Sequence, residues 1–236
     1  MKRAASALTV VLAGLLVAAH AAMAADLVVV TSRGIGLKAG QAVDGAQPLV
    51  LKEGQQVELI APTGQLIKLH GPWDKPPIAP GAADAPDASV ALKALLTANL
   101  ARSESVGVVR GAPAQVVPPD PWLLDVTHVG IRCVPENREV VFWRPNRGGA
   151  AAVTVEPYDR SWRARAQWPA GADRMAVPAS LPLANRSTYI VGLNGKDIPI
   201  TLVTVPAAAS NDAMRAAWMM QQGCDAQAQA LLQSAR

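Results

Sequence analysis

Strand-like segments recur regularly in residues 122–206, and their spacing constrains the fold more than any other feature of the chain. Segments rich in β-branched and aromatic residues follow one another roughly every 10 to 12 residues, with turn residues between them. In the segment SWRARAQW, Trp162 and Trp168 fall on one face, whereas Arg163 and Arg165 fall on the other. This alternation predicts a half-buried strand with a basic outer face. We therefore expect a β-sandwich over this region.

One motif within this region resembles a known family. The segment LPLANRSTYIVGL resembles the corner that leads into strand F of immunoglobulin-like and fibronectin type III sandwiches, where a leucine and a proline precede a tyrosine. The resemblance covers about residues 122–206 and implies that the hydroxyl of Tyr189 is tied back to the backbone. Val191 stands where antibody domains carry their second cysteine. The disulfide between strands B and F of those domains is therefore not expected here.

A second, smaller β-region is expected near the N-terminus, at about residues 27–72. The segment VELIAPTGQLIKL predicts a hairpin that turns at 62–64, with Val57 and Leu59 on one face and Ile60 on the other. Together with a glycine at Gly40 and the step LVLKEGQQVEL, it resembles the small β-domain of FecR-type periplasmic signalling proteins. In that family the periplasmic part senses or relays the state of a partner protein. No membrane-spanning segment follows the β-region here, so we do not extend the signalling role to this chain.

Helical segments are expected on either side of the sandwich region. Residues 74–121 are rich in proline and alanine and predict a linker that carries one amphipathic helix at about 89–104. Residues 207–236 predict two helices separated by Gly223, the first capped by Ser210 or Asn211. Their apolar stripe must dock on another part of the fold.

The N-terminus predicts export. Lys2 and Arg3 precede an uncharged apolar run at 8–19, and small residues follow at 22–24, as in a cleaved secretory signal peptide. The run is shorter than the roughly 20 residues that span a bilayer, so an uncleaved anchor is the less favoured alternative. We expect a periplasmic protein with no stable membrane insertion. Removing the signal lowers the formal net charge from +4 to +2, which argues against nucleic acid as a partner.

The predicted organisation is mainly β with added helices. It comprises a signal peptide (1–24), a small FecR-like β-domain (25–73), a linker with one helix (74–121), an immunoglobulin-like β-sandwich (122–206) and C-terminal helices (207–236).

The chain has two cysteines, Cys133 and Cys224. In an exported protein two cysteines are expected to pair, and this disulfide would join the C-terminal helices to an early strand of the sandwich. The alternative is a catalytic thiol, for which His128 is the nearest candidate base in sequence. The remaining mature histidine, His70, precedes a Gly-Pro turn. These ligand types lack the paired spacing of a metal site, so we expect no metal and no cofactor.

The sequence contains no recognisable catalytic motif. It has no G-x-S-x-G elbow, no S-x-x-K and no H-E-x-x-H. Carboxylate pairs for glycoside hydrolysis can come from anywhere in a fold, which leaves Asp125, Glu139 and Glu156 as candidates. The simpler interpretation of these three residues is that they are solvated charges on strands. We assign no catalytic residue.

Arginines form the clearest surface signal. They concentrate in the first half of the predicted sandwich, at Arg132, Arg138, Arg144, Arg147, Arg160, Arg163 and Arg165. Guanidinium groups and aromatic rings together suit anionic or glycan ligands, and the candidate binding face is Arg144, Arg163, Arg165 and Trp143. The alternative is that these arginines are outward strand positions that keep the sheet edges soluble.

These observations favour a non-catalytic exported protein with a binding or adaptor role in the envelope. Its partner would be an envelope protein or an anionic or glycan polymer. Two alternatives stay open at this stage: a periplasmic enzyme that acts on an envelope polymer through dispersed carboxylates, and a subunit of an envelope assembly. A deep pocket that converges on two carboxylates would favour the enzyme, whereas a shallow sheet face with arginine and tryptophan would favour the binding protein.

Overall fold

The computed structural model describes residues 26–78 and 116–234. These residues are mainly β, with three sheets and two short helices, which confirms the predicted fold class. The strands are β1 (Asp26–Arg33), β2 (Ala42–Asp44), β3 (Gln56–Ile60), β4 (Leu66–His70), β5 (Leu123–Asp125), β6 (Gly130–Pro135), β7 (Val141–Trp143), β8 (Ala151–Pro157), β9 (Ala164–Trp168), β10 (Arg174–Ala176), β11 (Ser187–Leu193) and β12 (Lys196–Val205). The helices are α1 (Asp212–Gln221) and α2 (Asp225–Ser234).

Three sequence predictions concern residues outside this part of the chain. The signal peptide at 1–24 and the helix at 89–104 lie outside the described residues, as does most of the linker at 74–121. Within residues 26–78 and 116–234, neither helix combines the length and the apolar character needed to cross a bilayer.

The first sheet is antiparallel, in the order β2-β1-β3-β4. Its β3–β4 hairpin follows the prediction, because Gly64 takes a positive φ of 81° in the turn and Val57 pairs with Leu69. Val57 and Leu59 pack into a core on one face of this sheet. Ile60 points to the other face, where it packs against the C-terminal helices. Both faces of this small sheet are therefore covered by apolar contacts.

Two further sheets pack face to face over residues 122–206. One has the order β10-β7-β5 and the other the order β6-β12-β11-β8-β9. Phe142 of the smaller sheet shares a core with Trp168 and Val191 of the larger sheet. The predicted alternation of SWRARAQW holds at its ends, where Trp162 and Trp168 both pack on this core. Two strand pairs, β5 with β7 and β6 with β12, run parallel.

Tyr189 is fixed in the way that the immunoglobulin-like resemblance implies. Its hydroxyl accepts a hydrogen bond from the backbone N–H of Ala184 at 2.7 Å and donates one to the carbonyl of Pro182 at 3.2 Å. The ring is buried, with its centroid 5.9 Å from that of Trp162. The corner is thus locked onto the strand that follows it. The family resemblances themselves, to immunoglobulin-like and to FecR-type domains, stay predictions.

The two helices dock between the first sheet and the five-stranded sheet. Asn211 caps α1, because its side-chain oxygen accepts a hydrogen bond from the N–H of Met214 at 2.9 Å. Gly223, with a φ of 83°, ends the helical run as predicted. Met214 and Trp218 share one buried core with Ile60 of the first sheet. The same core includes Val203 and Val205 of the five-stranded sheet, so the helices join the two β-regions.

Candidate binding face

Cys133 and Cys224 are joined in a disulfide, with their sulfur atoms 2.09 Å apart. Both residues are buried, and the bond connects β6 to the segment between α1 and α2. His128 bonds instead to Asp125, with its Nδ1 2.7 Å from a carboxylate oxygen. The pairing predicted from the cysteine count is therefore present. A catalytic Cys–His pair is absent from this position.

Two residues of the predicted binding face, Trp143 and Arg144, are buried and are not available to a ligand. Trp143 ends β7 with 4% of its surface exposed, and Arg144 follows it with 5% exposed. The guanidinium of Arg144 lies 5.0 Å from the ring centre of Trp168. It donates hydrogen bonds to four backbone carbonyl oxygens, those of Gly148, Gly149, Pro169 and Ala172. The prediction is wrong for these two residues, because neighbouring loops enclose them.

Arg132 and Asp125 also have structural roles. Arg132 is 2% exposed and donates hydrogen bonds to the carbonyl oxygens of Asp125, His128 and Ile131. Burial lowers the pKa of its guanidinium, and the nearby carboxylate of Asp125 opposes that shift. The same carboxylate accepts hydrogen bonds from the N–H and the hydroxyl of Thr127. This cluster fixes the loop between β5 and β6.

Three of the predicted arginines, Arg160, Arg163 and Arg165, lie along β9 and the turn before it, at one edge of the five-stranded sheet. Glu156 on β8 accepts a hydrogen bond from Nε of Arg163 at 2.5 Å, and Nε of Arg160 lies 3.5 Å from its other oxygen. The carboxylate is only 6% exposed, whereas the side chains of Arg160 and Arg163 are 65% and 48% exposed. The hydrogen bond from Arg163 is the main cause that holds the pKa of Glu156 below its ordinary value. Glu156 thus positions two guanidinium groups at the surface.

Arg165 and Tyr158 extend this cluster. Arg165 is exposed on β9 and lies opposite Thr154 of β8, two positions from Glu156 and on the same side of the sheet. Tyr158 follows two residues after Glu156 and is 74% exposed. We call Tyr158, Arg160, Arg163 and Arg165 the arginine face. It combines exposed guanidinium groups with one exposed aromatic ring.

The turn between β8 and β9 holds Arg160 in an unusual backbone conformation. Its φ is 57°, in the left-handed region that favours glycine. The turn is fixed by Asp159, whose carboxylate accepts hydrogen bonds from the N–H and the hydroxyl of Ser161. The first of these bonds is the main cause of the lowered pKa of Asp159. An arginine at this position therefore carries a conformational cost that a glycine would avoid.

The candidate carboxylates do not form a pair. Asp125 is engaged with Thr127 and His128, and Glu156 is engaged with arginines. Glu139 lines a separate groove of about 570 Å³ beside the turn between β6 and β7. In the described residues no group of three or more His, Cys, Asp or Glu side chains could hold a metal ion.

A cavity of about 660 Å³ lies where the turn between β6 and β7 meets the two helices. Of its three acids, Asp212 is paired with Arg215 at 2.9 Å. Asp120 and Glu136 each accept a hydrogen bond from a backbone N–H, at 2.9 and 3.1 Å. They therefore act as turn-capping acids rather than as a converging pair. The guanidinium of Arg138 lies 5.8 Å from the ring centre of Trp122 at the rim.

The residues that the sequence interpretation missed are Tyr158 and the contact of Trp122 with Arg138. The exposure of Tyr158 was predictable from the sequence around it. Val153 and Val155 face the core along β8, so the alternate residues Glu156 and Tyr158 face outward. The Trp122 contact joins residues 16 positions apart and had no local signal.

Comparison with known proteins adds no relative. No protein-family model matches the chain, and no curated protein matches its sequence.

Proposed function

We propose that this chain is an exported, non-catalytic envelope protein with a binding or adaptor role, and that the arginine face binds its anionic ligand. One observation carries the proposal: Arg160, Arg163 and Arg165 are exposed on one face, and Arg165 forms no ion pair within the described residues. Glu156 engages Arg160 and Arg163, which leaves Arg165 as the guanidinium group available to bind an added anion. Guanidinium groups bind carboxylate and phosphate oxygens in paired hydrogen bonds, and Tyr158 offers a ring for stacking.

Localisation in the bacterial periplasm is part of the same proposal. The sequence features of a signal peptide support it, as does the disulfide, because structural disulfides persist in oxidising compartments. The enzyme alternative has less support, because Asp125 and Glu156 are engaged in separate hydrogen-bonded clusters and Glu139 lines a different groove. The assembly-subunit alternative depended on the helix at 89–104, which lies outside the described residues.

The test uses Arg165→Glu and a matched control, Arg33→Glu. Both arginines are exposed, neither forms an ion pair in the described part of the chain, and Arg33 lies on the first sheet. We would measure retention of each variant and of the wild type on immobilised polyglutamate and on an immobilised polyuronate as salt is raised. Arg165→Glu is expected to bind roughly five- to tenfold more weakly, because reversal replaces attraction with repulsion. Equal retention of the two variants, or no retention of the wild type, overturns the proposal.

A further inference from the structure

The two edge strands of the five-stranded sheet, β6 and β9, differ in what lies against them. At the β6 edge, the buried side chain of Gln227 on α2 takes the place of a neighbouring strand. Its oxygen accepts a hydrogen bond from the N–H of Cys133 at 2.7 Å, and its nitrogen donates one to the carbonyl of Cys133 at 2.8 Å. An amide side chain thus satisfies both backbone groups of one edge residue. At Cys133, the middle of this edge strand is therefore already occupied by the chain's own side chain.

Among residues 26–78 and 116–234, nothing covers the β9 edge in this way. In the part of the chain that the structure describes, no backbone group is hydrogen-bonded to the outer side of β9. The strand pairs with β8 over five consecutive positions without a bulge, and it contains no proline. Arg165, Ala166 and Gln167 are exposed. A regular, open edge of this kind presents a row of N–H and C=O groups to which another strand can be added.

The charge beside β9 indicates which kind of segment could pair with this edge. Arg165 lies opposite Thr154, so β8 supplies no acidic partner at that position. A second copy of the chain would bring arginines of both copies onto one face, and like charges on paired strands oppose association. At β4, the other open five-residue edge, Lys68 is already paired with Glu58 at 2.7 Å. Of these two open edges, β9 is therefore the one whose outward cation, Arg165, has no paired carboxylate within the described residues.

We infer that β9 is the docking edge for an extended acidic segment of a partner protein, which adds to the sheet as a sixth strand. Carboxylates at alternate positions of that segment meet Arg163 and Arg165, while its main chain pairs with β9. This inference rests on the proposed function and names the partner class for the same face.

The test separates backbone pairing from charge attraction. The probe is a soluble peptide of about eight residues that alternates glutamate and threonine, long enough to cover the five residues of β9. One control peptide has the same sequence with alternate backbone amides N-methylated, in both possible registers. The other control replaces every glutamate by lysine. Binding is followed by NMR titration of the isotope-labelled chain, with Arg165→Glu and Arg165→Gln as variants and Arg33→Glu as the charge control.

The unmethylated acidic peptide is expected to shift the amide resonances of residues 164–168. In at least one register, methylation should weaken binding by roughly tenfold or more, because strand addition draws its affinity from main-chain hydrogen bonds. The lysine peptide should not bind, and both Arg165 variants should bind more weakly than Arg33→Glu. If both methylated peptides bind as well as the parent, strand addition is overturned while anion binding stands. If no acidic peptide shifts these resonances, or if the chain dimerises through β9, the inference also fails.

Discussion

Replacing Gln227 by methionine is expected to destabilise the fold far more than the loss of one amide suggests. The side chain is 3% exposed, and its three hydrogen bonds, to Cys133 N–H, Cys133 C=O and Pro121 C=O, measure 2.7, 2.8 and 2.7 Å. Methionine preserves the volume and removes all three bonds. Each buried backbone group left without a partner costs about 1 to 3 kcal/mol, and three groups toward the lower end of that range give a loss of roughly 3 to 5 kcal/mol.

The assay is urea and thermal unfolding with the disulfide intact. At about 2 to 4 °C per kcal/mol for a chain of this size, the variant should melt roughly 10 °C below the wild type. The control is Gln233→Met, an exposed position on the same helix, which should change stability by less than about 0.5 kcal/mol. If Gln227→Met unfolds with a free energy within about 1 kcal/mol of that of Gln233→Met, the argument that Gln227 substitutes for a strand is refuted.

Three further predictions follow from the same structure. Arg160→Gly should raise the free energy of unfolding by about 1 kcal/mol, because glycine adopts a φ of 57° without a side-chain clash. The same variant should bind polyglutamate more weakly. Unchanged stability would show that the turn is not strained. The pKa of Glu156 is lowered in the folded chain, so its ionised form stabilises the fold above the ordinary pKa of 4.5, and this contribution is lost as the pH falls through the folded pKa. Unfolding measured between about pH 3 and pH 6 should therefore show a loss of stability in acid that is smaller in Glu156→Gln; parallel pH profiles would contradict the assignment. Replacing Cys133 and Cys224 by serine removes a bond between residues 91 positions apart. By the chain-entropy model, the free energy of unfolding measured in urea should fall by about 4 to 5 kcal/mol. A fall of less than about 1 kcal/mol would contradict this prediction.

Features with a short sequence period were predictable. The alternation of SWRARAQW placed Trp162 and Trp168 on the core and Arg163 and Arg165 outside, because successive strand residues face opposite sides. The hairpin at 57–69 followed from the same period and from a turn glycine. The disulfide followed from counting cysteines, a rule that needs no geometry.

Features that depend on distant backbone were not predictable. Arg144 follows a strand of only three residues, too short for alternation to assign a face. Its burial is produced by carbonyl groups up to 28 residues away, such as that of Ala172. The apolar stripe of α1 predicted docking but not its target, because Met214 contacts β-strands from both ends of the chain. Of the four residues predicted for a binding face, Arg163 and Arg165 are exposed, whereas Trp143 and Arg144 are buried.

Because the C-terminal helices complete the core, one face of the first sheet can be buried only after they have been synthesised. Val28, Val30 and Ile60 are among the first described residues to be made, yet their apolar partners on one face are Met214, Trp218 and neighbouring helix residues near the end of the chain. Until those last residues are available, the first sheet has one uncovered apolar face. The first sheet therefore cannot bury that face until the helices at 212–234 have been made, and a chain that ends before them is expected to aggregate through the exposed apolar surface.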